Sequence, residues 1–249
     1  MRAAPRRPLP RDDIRPGDDH HAPFVCDTGA MSAVAQPPWH ADEATVRRSR
    51  PRDTSEEKDR LRRQIRARRA HRSTRRRTET AQLLAEVVLT IPEVAAAGCV
   101  SVYASRPTEP GTGPLIEALA ARGVRLLLPV LGTGLQRDWA EYAGPDDLRE
   151  RAPGRPPEPS GPPLGAAALG DADVVLVPAL AVDAAGGRLG QGGGWYDRVL
   201  AHVRPGVPVV ALVHEDEVLD AVPREAHDQI VTGVATSDGW RRVGPGADA

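Results

Sequence analysis

The chain has 249 residues, of which 40% are hydrophobic and only 3% aromatic, so a sizeable core must be built mainly from Leu, Val and Ala. No apolar run of about 18 residues occurs, which excludes a membrane-spanning helix, and two cysteines, Cys26 and Cys99, are too few for a disulfide scaffold. The net charge of -1 hides an asymmetry: residues 1–80 carry 20 of the 33 basic and 12 of the 34 acidic side chains, a net of +8 against -9 for the rest.

Residues 1–52 are rich in Pro, Asp, His and Arg without any sustained period and are expected to form a disordered tail, in which Met31 is a second candidate start. The opening MRAAPRRPLPRDD is basic, but no apolar stretch follows, so it is not a secretory signal, and a cytoplasmic location is expected. His20, His21 and His40 match no zinc-binding spacing.

Order is expected from Thr54, which with Glu57 makes a T-x-x-E capping box. The helix that follows, SEEKDRLRRQIRARRAHR, is mostly charged, with Leu61 and Ile65 as apolar contacts. Lys58, Arg62 and Arg66 recur every four residues and share one face. Of the 33 basic residues only Lys58 is lysine, which marks either a place for a compact ammonium or a chance substitution. A second helix, TETAQLLAEVVLTI, is expected to bury Leu83, Leu84, Val87 and Val88.

Beyond it the pattern alternates. Strands are expected over Cys99–Ala104, Val124–Leu131, Asp173–Leu180 and Val207–Val213, with a last one near Ile230. Helices are expected over 112–123 and 195–203. Strands this apolar, separated by helices, predict an α/β domain with a mostly parallel sheet flanked by helices, spanning residues 53–242. Residues 132–170 are Pro/Gly-rich and read as an excursion from the core, and residues 243–249 as a flexible end.

The stretch GGRLGQGGGWYDR, residues 186–198, lies between an expected strand and an expected helix, at the carboxyl edge of the sheet where ligands of open α/β sheets bind. Glycines let backbone amides turn toward an anion at a helix start, and Arg188 adds a guanidinium, so the loop has the makings of a phosphate site. Gly194 is followed by Trp195, which excludes both the Walker A loop and the dinucleotide fingerprint. Asp197 is equally suited to capping the helix and to holding a magnesium ion.

This segment resembles the signature of the 5-formyltetrahydrofolate cyclo-ligases, which carry G-x-R-L-G-x-G-x-G-[aromatic]-Y-D after an apolar strand. Three further segments agree in order: KDRLRRQIRARR with Lys58, Arg62 and Arg66; VYASRPTEPGT with Tyr103, Glu109 and Thr112; and PREAHD ending at Asp228. The resemblance covers roughly residues 54–235. It implies an ATP-dependent enzyme that closes 5-formyltetrahydrofolate to 5,10-methenyltetrahydrofolate, with Mg²⁺. It further implies that Lys58, Asp59, Arg60, Leu61 and Arg62 grip ATP together with Arg188, Leu189, Gly190, Gln191, Gly192, Gly193, Gly194, Trp195 and Tyr196. Lys58 and Arg188 would be the catalytic cations, Asp197 and Asp228 the Mg²⁺ ligands. Ala104, Glu109 and Gln191 to Trp195 would line the folate site.

The chain departs from the family pattern on the folate side. Trp195 stands where tyrosine is usual, Val182 where phenylalanine is frequent, and LLPVL lacks a basic residue after its proline. The alternatives are a paralogue that keeps ATP but acts on another substrate, or an Arg-rich nucleic-acid-binding module, against which the shortage of aromatics in the basic segment weighs. The expected partners are small molecules, with neither nucleic acid nor membrane, and the chain is expected to be a monomer.

Overall fold

The computed structural model describes residues 53–131, 137–152 and 154–247. The expected N-terminal tail, with Cys26 and the three histidines, lies outside them.

Helix α1 (Thr54–Ala70) is capped one residue earlier than the sequence suggests: Asp53, not Thr54, accepts from the Ser55 N–H at 3.1 Å. Helix α2 (Thr74–Val88) starts four residues before the expected position, because the Ser73 side chain accepts from the Arg76 N–H. Its buried stripe is Ala81, Leu84, Ala85 and Val88; Leu83 is 48% exposed, so the inward face is rotated from the one expected. A short α3 (Pro92–Ala96) precedes β1 (Cys99–Ser101), and α4 (Gly113–Ala121) leads to β2 (Arg125–Val130).

Residues 132–170 are not wholly an excursion. Within them β3 (Asp138–Glu141) pairs antiparallel with β2, and its Trp139 is fully buried. The chain then runs through β4 (Val174–Pro178), a hairpin of β5 (Ala181–Asp183) and β6 (Arg188–Leu189), and α5 (Trp195–Val199). It ends with β7 (Val209–Leu212), β8 (Val218–Leu219), β9 (Gly233–Ala235) and β10 (Trp240–Arg242).

Seven strands form the main sheet in the order β10-β9-β7-β4-β1-β2-β3. The inner five are parallel, and the edge strands β10 and β3 are antiparallel. Both faces are covered. Val100, Leu126, Leu128, Val174, Leu176, Val210 and Leu212 pack under α2 and α4. The alternate residues Cys99, Leu127, Val175, Val177, Val209 and Ala211 pack with Leu169, Val199 and Leu200 on the other face. Each fully buried Leu or Val of this kind contributes roughly 1.5–3 kcal/mol. Packing continues past residue 242: Val243 is buried and the Gly244 N–H bonds the Ala184 carbonyl at 3.0 Å.

A second sheet, β6-β5-β8, supports α1, with Ile65, Leu180, Ala181, Leu189 and Val222 between them. In the main sheet, β1 has β2 on one side and β4 on the other. The connections therefore reverse direction there, and the loops leaving β1 and β4 part to open a crevice at the carboxyl edge.

Candidate active site

A cavity of about 490 Å³ occupies that crevice. It crosses the carboxyl edge from the 225–228 segment, which precedes β9, to the ends of β1 and β2. Lys58, Arg62, Ala104, Glu109, Asp197, Asp228 and the whole run Arg188 to Tyr196 line it, as the sequence reading expects. Asp59, Arg60 and Leu61 do not: Leu61 packs toward the second sheet, Arg60 lies 3.8 Å from Glu57, and Asp59 holds Arg62 at 2.6 Å.

Lys58, Arg62 and Arg66 do share one face of α1, which runs from the buried Lys58 through the half-buried Arg62 to the exposed Arg66. Lys58 Nζ donates to Glu225 Oε2 and Asp228 Oδ2, each at 2.6 Å. Arg62 donates to the Gly190 carbonyl at 3.0 Å, and Arg66 to the Gln191 carbonyl at 2.8 Å. One turn further, the buried Arg69 forms a bidentate pair with Glu217 and reaches the Ala179 carbonyl at 2.6 Å, and Arg72 pairs with Asp216. Basic residues along this face are thus paired within the chain, Lys58 and Arg69 inside the fold and Arg66 at its surface.

Lys58 is 5% exposed. Burial by itself would lower its pKa, but the hydrogen bonds and charges of Asp228 and Glu225 outweigh that and raise it. Burial pushes Asp228 up; Lys58 and the Glu225 N–H more than reverse this and hold it below the usual aspartate value.

The glycine loop leaves β6 and enters α5. Gly194, the residue before α5, has φ +58°, a left-handed conformation open to glycine at little cost. Helix α5 is only five residues long, so the amides of Gly192 to Gly194 and nearby cations matter more here than an axial dipole. Asp197 does not cap that helix: its Oδ1 accepts from Arg188 at 2.6 Å and from the Gln229 N–H at 3.2 Å. That second bond sets Asp197 beside the segment that carries Asp228.

At the other end, the loop after β1 is stapled by Thr112, which donates to the Tyr103 carbonyl and accepts from the Ser105 N–H. Glu109 is 8% exposed and accepts from the Arg106 N–H and the Gln191 side-chain amide. Tyr103 is buried, and burial together with the Glu109 charge pushes its phenol well above the ordinary value. Apolar walls come from Pro129, Leu131, Pro156, Pro157 and Trp195. Trp139 stands behind Trp195 edge-on, at 5.4 Å between ring centres, so it supports the cavity from within β3.

Sequence reading missed Arg106, Arg155, Glu225 and His227, all of which line the cavity. Glu225 and His227 stand within three residues of Asp228, and the three offer donor atoms within 4.8 Å of one another. That proximity was visible in PREAHD. The carboxylates suit a hard cation such as Mg²⁺, which takes oxygen ligands, and the imidazole suits it less.

Among the described residues no helix is long and apolar enough to cross a membrane.

Comparison with known proteins is consistent across sequence and fold. The profile of the 5-formyltetrahydrofolate cyclo-ligase family matches residues 54–237. The chain is 42% identical over 142 residues to a 5-formyltetrahydrofolate cyclo-ligase of Mycolicibacterium smegmatis, covering 55% of this chain and 72% of that protein. It is 32% identical over 177 residues to the 5-formyltetrahydrofolate cyclo-ligase of Escherichia coli K12, covering 69% and 96%. Its fold is similar to the solution structure of an Aquifex aeolicus 5,10-methenyltetrahydrofolate synthetase, with a TM-score of 0.64 and 27% identity over 74% of this chain and 92% of that one. A Mycoplasma pneumoniae 5,10-methenyltetrahydrofolate synthetase, 17% identical, shares the fold with a TM-score of 0.57 over 73% of this chain and 99% of that one.

Proposed function

The chain belongs to the 5-formyltetrahydrofolate cyclo-ligase family, and we propose that it converts 5-formyltetrahydrofolate and ATP to 5,10-methenyltetrahydrofolate, ADP and phosphate. The observation that carries this reading is the gathering of Lys58, Arg62, Arg188 and the Gly192–Gly194 backbone in the same cavity as an apolar compartment at the ends of β1 and β2.

A formamide oxygen is a poor leaving group, so it must first be phosphorylated before N10 can close the ring. The oxygen attacks the γ-phosphorus, the bond to the β-phosphate bridge oxygen breaks, and ADP leaves. N10 then adds to the activated formyl carbon and gives up its proton, and phosphate departs with the former formyl oxygen. Such a transfer calls for positioning and charge neutralisation more than for a protein nucleophile.

Lys58 and Arg62 would bind the nucleotide's phosphates with the loop amides, and Arg188, oriented by Asp197, would face the transferred group. Asp228 and Asp197, with Glu225 in reach, would hold a magnesium ion, which when bound neutralises phosphate charge. Trp195, supported by Trp139, would shape the compartment for the pteridine and benzoyl rings.

The test follows the near-ultraviolet absorbance of the methenyl product. Purified protein is mixed with 5-formyltetrahydrofolate, Mg²⁺ and ATP, with an ATP-free control. A rise that needs ATP supports the reading. ATP binding without any rise supports a paralogue acting on another substrate.

A further inference from the structure

We propose that Arg106 is a substrate-recognition residue, its guanidinium receiving a carboxylate of the glutamate portion of the folate; this rests on the substrate reading above. The inference starts from a charge with no match. Lys58 is held by Glu225 and Asp228, Arg62 by Asp59 and the Gly190 carbonyl, and Arg188 by Asp197. The Arg106 side chain lines the same cavity and makes no hydrogen bond or ion pair with any described residue.

Its backbone, by contrast, is held at both ends. The Arg106 N–H donates to Glu109 Oε2 at 2.9 Å, and the Arg106 carbonyl accepts from the Glu109 N–H at 3.0 Å. Glu109 makes no ion pair with the guanidinium: its Oε2 accepts from that backbone N–H, and its Oε1 accepts from Gln191 at 3.2 Å. A half-buried arginine on an anchored backbone, lining the cavity and making no ion pair with any described residue, is arranged to meet an anion from outside.

Position decides which anion. Arg106 follows Ala104 by two residues at the carboxyl end of β1, and β1 pairs with β2, whose end supplies Pro129 and Leu131. The acids suited to a cation-bridged triphosphate, Asp228 and Glu225, are reached from α1 near the β9 side of the sheet. A folate carries a pterin with polar edges and a benzoyl ring, and it ends in a glutamate with two carboxylates. Rings laid along the proline, leucine and tryptophan walls bring that end toward the cation of the apolar compartment. A guanidinium can meet a carboxylate through two parallel N–H bonds, which a phosphate-binding ammonium does not match.

The test compares Arg106→Ala and Arg106→Lys with wild type on 5-formyltetrahydrofolate, on ATP, and on 5-formyltetrahydropteroate, which lacks the glutamate. The expected result is a roughly 10- to 100-fold rise in KM for 5-formyltetrahydrofolate in Arg106→Ala, with kcat and the KM for ATP within about twofold of wild type. On the tailless substrate the variant and wild type should coincide, and Arg106→Lys should recover part of the loss. A rise confined to the KM for ATP would overturn the proposal and make Arg106 a phosphate contact. Equal losses on both folates would also overturn it and make Arg106 a support of its loop, as would no loss at all. A wild-type protein that fails to turn over 5-formyltetrahydrofolate would remove the substrate reading itself, a result distinct from a variant that matches an active wild type.

Discussion

Arg69 and Glu217, separated by 148 positions in the chain, form a bidentate ion pair with both contacts at 2.7 Å and essentially no exposure. The pair clamps α1 to the loop after β7, and the same guanidinium reaches the Ala179 carbonyl at the end of β4. Because Lys58, Arg62 and Arg66 stand on α1, this clamp sets the helix that presents Lys58 to the 225–228 segment and Arg62 and Arg66 to the glycine loop. Breaking such a pair strands a buried charge. Arg69→Ala is expected to cost about 3–5 kcal/mol, read as a lower urea midpoint, with Glu217→Gln costing less because an amide keeps an acceptor for Arg69.

Lys58→Met keeps the aliphatic stem and removes the ammonium. The KM for ATP should rise at least about tenfold. Stability should fall as well, since Glu225 and Asp228 then face each other without a counter-ion. The raised Lys58 pKa gives stability that is present below its unfolded value and lost as pH climbs through the folded one. The lowered Asp228 pKa gives stability that is present above its unfolded value and lost as pH falls through the folded one. The variant's acid limb, measured by thermal melts below neutral pH, should therefore be shallower than that of the wild type. An unchanged limb would break the link between Lys58 and Asp228.

His214 lies beside Arg69 and Arg72, and burial, then those two guanidiniums, lower its pKa to about 4. An unfolded chain protonates the same imidazole near its ordinary value, so the stabilising effect of keeping it neutral is present above that value and lost as pH falls toward 4. The loss amounts to about 3 kcal/mol. His214→Gln should flatten the stability profile across this window; a profile with the same slope would show that other groups set it.

Two glycines of the loop region should respond differently to alanine. Gly194 has φ +58° with ordinary contacts around an added methyl, so Gly194→Ala should cost about 1 kcal/mol of backbone strain while disturbing ATP binding. Gly186 has φ +78° and its Cβ would lie 2.5 Å from the Val231 carbonyl oxygen, so Gly186→Ala should destabilise the protein much more. Equal melting shifts for the two would count against the role of that close approach.

Asp197→Asn removes the counter-charge of Arg188, whose side chain is 2% exposed and whose Nε has no partner among the described residues. The expected outcome is a stability loss of about 1–3 kcal/mol together with weaker ATP binding by titration calorimetry. A loss of stability with ATP affinity intact would confine Asp197 to a structural role.

Periodicity in the sequence announced the parallel strands because their residues are apolar on both faces, and it marked the face of α1 toward the glycine loop because Lys58, Arg62 and Arg66 repeat every turn. The glycine-rich run from Gly186 declared a tight loop at the carboxyl edge of the sheet, where the structure has it line the cavity. The edge strands β3 and β10 were not legible: Asp138–Glu141 and Trp240–Arg242 are short and partly polar, and such strands acquire their pairing only from a neighbour already in place. The α2 register was misjudged for a related reason, since Leu83 and Leu84 are equivalent by composition and only the packing of α4 selects Leu84.

Local pattern thus determined which segments are buried and where the loop lies, because the burial of a face follows from side-chain spacing within one element. Charge partners were decided by the tertiary structure alone. With 32 arginines and 34 acids in the chain, no spacing says that Arg69 takes Glu217, that Lys58 takes both Glu225 and Asp228, or that Arg106 takes none among the described residues. A charge interacts with whatever the fold brings within a few ångströms, and that distance is set by how α1 docks against the second sheet, far from the residues it pairs with along the chain.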